Sequence, residues 1–125
     1  MIRTLCIAAL LMAAPARLAA QPAEDPCPDA RTQAAMNQCA GQTLARADTL
    51  LNDTYQRVLR TIPPRRVEAL RVAQRAWIRF RDAECAFAGA EYAGGSMEPM
   101  VRALCLARLT EERTEQLAAL LAGGG

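Results

Sequence analysis

Two pairs of helix-breaking residues, Pro63-Pro64 and Gly94-Gly95, cut the polypeptide into long stretches whose apolar residues recur every three or four positions. That spacing lines up one face of a helix, and no alternating strand pattern competes with it. Met36, Ala40, Leu44, Ala47, Leu51, Tyr55, Val58 and Ile62 predict a first helix from about Arg31 to Ile62. Pro63-Pro64 ends it, and Pro64 opens the next, where a missing N–H costs nothing. The second helix is expected from Pro64 to Tyr92, burying Leu70, Ala73, Trp77, Phe80 and Ala88. Gly94-Gly95 stop it, because glycine accepts the left-handed conformation that closes a helix. Ser96 is placed to cap a third helix from Met97 to Leu121, with Glu98 at its positive end. Its buried stripe runs through Val101, Leu104, Ala107, Leu117 and Leu121. The expected fold is all-α, a three-helix antiparallel bundle.

The first 20 residues read differently. Arg3 precedes the apolar stretch Leu5–Ala14, and small residues at Ala16 and Ala20 offer cleavage sites, as in a secretory signal peptide. Cleavage near Ala20 is preferred, since Gln21-Pro22 begins a polar, proline-rich segment. That leaves one domain over 21–125 in the periplasm or extracellular space. The apolar stretch is too short to span a bilayer, so a membrane-spanning chain is not expected. Cys6 lies at the very start of the apolar stretch, whereas a lipid-modified Cys would follow it, so no lipid anchor is expected.

Cys27, Cys39, Cys85 and Cys105 remain. An even number in a small exported domain points to two disulfides, with three connectivities open. Helix register chooses among them. Antiparallel helices folded about Gly94-Gly95 place at equal height residues whose numbers add to about 190. Cys85 and Cys105 meet that condition, leaving Cys27–Cys39 to pin the N-terminal arm to the first helix.

Polar residues also share faces. Gln74, Trp77, Arg81 and Cys85 lie along one side of the second helix, and Asp48, Asn52 and Tyr55 along one side of the first. Folding about Pro63-Pro64 brings Arg81 to the height of Asp48, which predicts an internal polar lock. Such an ion pair needs good geometry, because removing charges from water costs several kcal/mol each.

Chemistry is poorly provided for. The chain has no His, and all 15 of its basic residues are Arg, which removes the commonest general base and any catalytic lysine. Redox catalysis would want a CxxC pair, which is absent. Carboxylates alone could hydrolyse a glycoside, yet these lie on helix surfaces and in turns. A non-enzyme without cofactor or metal is expected. Without Arg3 and Arg17, thirteen Arg face thirteen acids, so nothing points to nucleic acid.

The ordered set Cys27, Met36, Cys39, Ala47-Asp48, Leu51-Asn52 and Tyr55 continues through Gln74, Trp77, Phe80-Arg81-Asp82 and Cys85. Gly94-Gly95-Ser96, Pro99, Cys105, Leu109-Thr110 and Arg113 complete it. This set resembles the family named for the N-terminal domain of the lysozyme inhibitor LprI, over about residues 27–121. The resemblance implies a small exported helical domain with paired cysteines, and inhibition of a lysozyme-type muramidase.

For such a partner the turn between the second and third helices is the leading contact. Glu91, Tyr92, Gly94, Gly95, Ser96 and Glu98 place an aromatic, a hydroxyl and two acids at one end of the bundle. A protruding end can enter and occlude a cleft that a broad helical face cannot. The competing expectation is a non-catalytic envelope module that recognises peptidoglycan or another periplasmic protein. It draws on an Arg-rich surface over residues 57–79, where Glu68 is the one acid. Part of that charge is expected to be neutralised by Arg75 beside Glu115 and Arg79 beside Glu111, at equal heights on the facing helix.

Overall fold

The computed structural model describes residues 25–123; the signal peptide expected over 1–20 lies outside them. Three helices follow in order: α1 (Gln33–Thr61), α2 (Pro64–Ala90) and α3 (Glu98–Ala122), with no strand among the described residues. Both disulfides are those expected from register, Cys27–Cys39 and Cys85–Cys105.

Local chemistry sets the helix ends. The Thr32 hydroxyl accepts from the Ala35 N–H at 3.1 Å, satisfying one of the free donors at the start of α1. Ile62 takes an extended backbone (ψ 153°), as a residue before proline must, and α1 stops there. Pro63 is extended too, and Pro64 starts α2. At the other end Gly94 adopts φ +76°, and the Gly95 N–H closes the turn on the Tyr92 carbonyl at 2.9 Å.

Ser96 does not cap α3. Met97 occupies the cap position in helical conformation without a side-chain hydrogen bond. The turn is held by Glu98 instead, whose carboxylate accepts from the Gly94 N–H at 2.9 Å. The carbonyl of Ser96 accepts from Asn37 Nδ2 at 3.0 Å, tying the turn to α1.

The central helix is α3. It packs along α1 and also against α2, whereas α1 and α2 meet each other closely at few points. Small residues permit the α1–α3 approach: Ala40 and Ala47 on one side and Ala107 on the other are fully or nearly buried. Larger apolar groups fill the Pro63-Pro64 end, where Leu51, Val58 and Leu117 form the core with Tyr55, Ile62 and Leu70 around them. The hydroxyls of Thr43 and Thr114 return to carbonyls in their own helices at 3.0 and 2.9 Å, so burial leaves them satisfied.

Helix α2 departs from expectation. Its buried residues are Gln74, Cys85 and Gly89. Phe80 and Ala73, expected inside, are exposed. The reason is angular: α2 touches α3 along a narrow strip through Gln74, Arg81, Cys85 and Gly89, and Phe80 lies about 100° from Arg81 around the axis.

Candidate functional site

Two regions carry the sequence-derived candidates. In the first, Arg81 projects from the inner strip of α2 with its side chain only 16% exposed. Its Nη1 donates to Asp48 Oδ1 of α1 and to Thr110 Oγ1 of α3, both at 3.2 Å. Its Nε donates to Asp82 Oδ1 at 3.0 Å. One guanidinium therefore links all three helices. It also lies 5.2 Å from the centre of the Trp77 ring. Arg113 of α3 approaches the same ring at 6.0 Å and donates through Nε to Gln74 Oε1 at 3.0 Å. Burial pushes the Arg113 guanidinium below its ordinary value. Flanked by two cations, Trp77 acts as a shared π-acceptor.

Asp48, Asn52, Tyr55, Gln74, Trp77 and Arg81 all line one groove of about 630 Å³ between α1 and α2. It exists because α3, not α2, covers the apolar face of α1. Arg71 and Arg75 edge the groove on α2, and both pair with Glu68, at 3.7 and 3.2 Å. The expected pairs Arg75–Glu115 and Arg79–Glu111 do not form, since residues at equal height still need to share a face. Each of those Arg sits one position beyond Gln74 or Ile78, rotated about 100° per residue around the axis.

Thr110 and Arg113 were absent from the expected polar lock, although the register about Gly94-Gly95 carried the signal. It sets Trp77 opposite Arg113 and Arg81 close to Thr110. Among the described residues no group of three or more His, Cys, Asp or Glu side chains could hold a metal ion, and no helix is long and apolar enough to cross a membrane.

The second region is the α2–α3 turn. Glu91, Tyr92 and Ser96 are exposed there, together with Met97, which the sequence reading did not single out. Gly94 and Gly95 are exposed as well but offer only backbone, and with Glu98 they build the turn. Gly94 supplies the left-handed backbone, and Glu98 is half-buried on the Gly94 N–H. A Cβ at Gly95 would stand 3.1 Å from the Tyr92 carbonyl, so a larger residue crowds the loop.

The sequence has a counterpart among known proteins. A protein of Rhizobium meliloti (strain 1021), itself uncharacterized, is 41% identical over an alignment covering 90% of each chain. No solved structure matches the chain. The profile of the family described as lysozyme inhibitor LprI matches residues 23–117, a span that contains both disulfides, the Arg81–Trp77 cluster and the α2–α3 turn. By that match the chain belongs to the lysozyme inhibitor LprI family.

Proposed function

We propose that this protein is an exported, non-catalytic inhibitor that binds a lysozyme-type muramidase and occludes its cleft with the α2–α3 turn. Membership of the LprI family supports the partner class. The observation that carries the mode of binding is the construction of the turn. It is anchored below by Cys85–Cys105, closed by the Glu98–Gly94 hydrogen bond and tied to α1 through Asn37. A loop ordered before binding spends less of its interaction energy on immobilisation. Glu91, Tyr92, Ser96 and Met97 then offer a carboxylate, an aromatic, a hydroxyl and a thioether at a convex end, the shape a cleft accepts. Export to the periplasm or beyond fits a disulfide-bonded protein.

The test is clearing of cell-wall suspensions by several lysozymes with the oxidised protein added. Slower clearing that is lost on replacing Glu91 and Tyr92 supports the reading; unchanged clearing with every lysozyme overturns it.

The groove between α1 and α2 favours a second reading, an envelope module that takes a peptidoglycan fragment or a periplasmic partner. Its amides, its Asp48 carboxylate and the Arg71 and Arg75 guanidiniums suit a hydroxyl-rich ligand bearing carboxylates. Binding of soluble muropeptides by calorimetry, abolished by Arg75→Glu, would move this reading ahead.

A further inference from the structure

The outward face of α2 has no role in the fold or in either candidate site. From Ala73 the residues Ala76, Phe80, Ala83, Phe87 and Ala90 follow at steps of three, four, three, four and three. All six are exposed, Phe80 at 55% and Phe87 at 77%. Val72, 53% exposed, widens the stripe. Alternating steps of three and four are the seam of a helix pair, because they keep one face turned toward a partner helix. A monomer gains nothing from holding two phenylalanines in water along such a line.

Charge and size identify the partner. The first half of α2 carries Arg65, Arg66, Arg71, Arg75 and Arg79 against Glu68; the second half and the turn carry Asp82, Glu84, Glu91 and Glu98, with Arg81 turned inward. The helix is thus polarised, positive then negative. A second α2 in parallel would set Arg beside Arg along its first half. An antiparallel copy sets each positive half beside a negative one. Side-chain volume agrees. With the two-fold axis between Arg81 and Asp82, Phe80 meets Ala83 of the second copy, Phe87 meets its Ala76, and Ala73 meets its Ala90. Every central layer then pairs one large with one small residue. In the parallel arrangement Phe layers would alternate with Ala layers, leaving voids that forfeit dispersion contacts.

We propose that α2 is a self-association surface through which two copies of this chain pair antiparallel, with Phe80 and Phe87 seated on Ala83 and Ala76 of the second copy. With thirteen Arg and thirteen acids over residues 21–125, no global repulsion opposes the pairing. The stripe and its flanks offer roughly 600 Å² per copy, at the lower bound for a specific interface. The dimer is accordingly weak, dissociating at about 10–100 µM.

Sedimentation of the full oxidised chain from about 5 to 500 µM reads this directly. A monomer–dimer equilibrium is expected, and Ala83→Arg, which sets a charge on the seam, weakens it at least about 30-fold while helical content is unchanged. Orientation is read by mixing Ala76→Cys with Phe87→Cys under oxidation, which yields the mixed cross-link in excess over either homodimeric one. A monomer throughout, or a dimer indifferent to Ala83→Arg, overturns the proposal. An excess of homodimeric cross-links overturns the antiparallel arrangement.

Discussion

Arg81 Nη1 lies 3.2 Å from Asp48 Oδ1, and this ion pair crosses the groove that separates α1 from α2. Its two ends are unequally solvated. The Arg81 side chain is 16% exposed and that of Asp48 is 43% exposed. The guanidinium also holds Thr110 and Asp82 and borders Trp77, whereas this ion pair is the contact that brings Asp48 to α2.

That inequality predicts an asymmetric pair of mutants. Arg81→Ala loses three charge-assisted bonds and opens space beside Trp77, and should destabilise by about 2–3 kcal/mol. Asp48→Ala leaves Arg81 two further acceptors and should cost about 1 kcal/mol. Urea unfolding of both variants checks the order; equal losses would mean that the Asp48 contact alone accounts for what Arg81 contributes.

At the turn, Glu91→Arg with Tyr92→Ala should abolish lysozyme inhibition with thermal unfolding within about 1 kcal/mol of wild type, because both residues are exposed. Arg65→Glu with Arg66→Glu, at the opposite end of the bundle, should leave inhibition intact. Glu98 is unsuitable for this purpose: its carboxylate closes the turn, so Glu98→Arg perturbs structure and surface together. Inhibition lost only with the Arg pair would place the contact at the Pro63-Pro64 end.

The disulfides should differ in accessibility. Cys85 is fully buried and its partner Cys105 half-buried, while Cys27 and Cys39 both lie partly exposed at the arm. A mild reductant should therefore open Cys27–Cys39 first, followed by thiol alkylation and mass spectrometry. Closing a loop of 12 or 20 residues stabilises by about 3 kcal/mol in the chain-entropy account, so replacing both members of either pair with Ala should lower stability by about that amount.

Two glycines should respond in opposite directions to alanine. Gly94 stands at φ +76°, so Gly94→Ala costs about 1 kcal/mol. Gly89 is helical, and an added Cβ would meet Arg102 Cβ at 3.6 Å and Glu98 Cγ at 3.7 Å, ordinary contacts. Gly89→Ala should raise stability by up to about 1 kcal/mol, since alanine is the better helix former. Thermal melts of the two variants should fall on opposite sides of wild type.

The three helices and their breaks were readable because the signals are local. Pro63-Pro64 constrains backbone within two residues, and periodicity needs only the chain itself. The Cys85–Cys105 bridge was readable because a short turn fixes height along a helical hairpin. The same register placed Asp48 near Arg81. Height says nothing of rotation or of local turn geometry, however, and three outcomes turned on these. Phe80 faces solvent, Arg75 pairs within its own helix, and Ser96 yields the closing of the turn to Glu98.

Which helix lies at the centre was a tertiary decision. Ala40 and Ala47 of α1 and Ala107 of α3 are small enough for those two helices to approach closely, whereas α2 carries the bulky Trp77 and Arg81 at its inner face. Once α3 occupied α1, α2 could reach the bundle only along one strip. The groove beside Asp48 and the exposed line through Phe80 and Phe87 both follow from that competition. Periodicity within one helix assigns a face to be buried, but only packing among all three decides which faces find a partner.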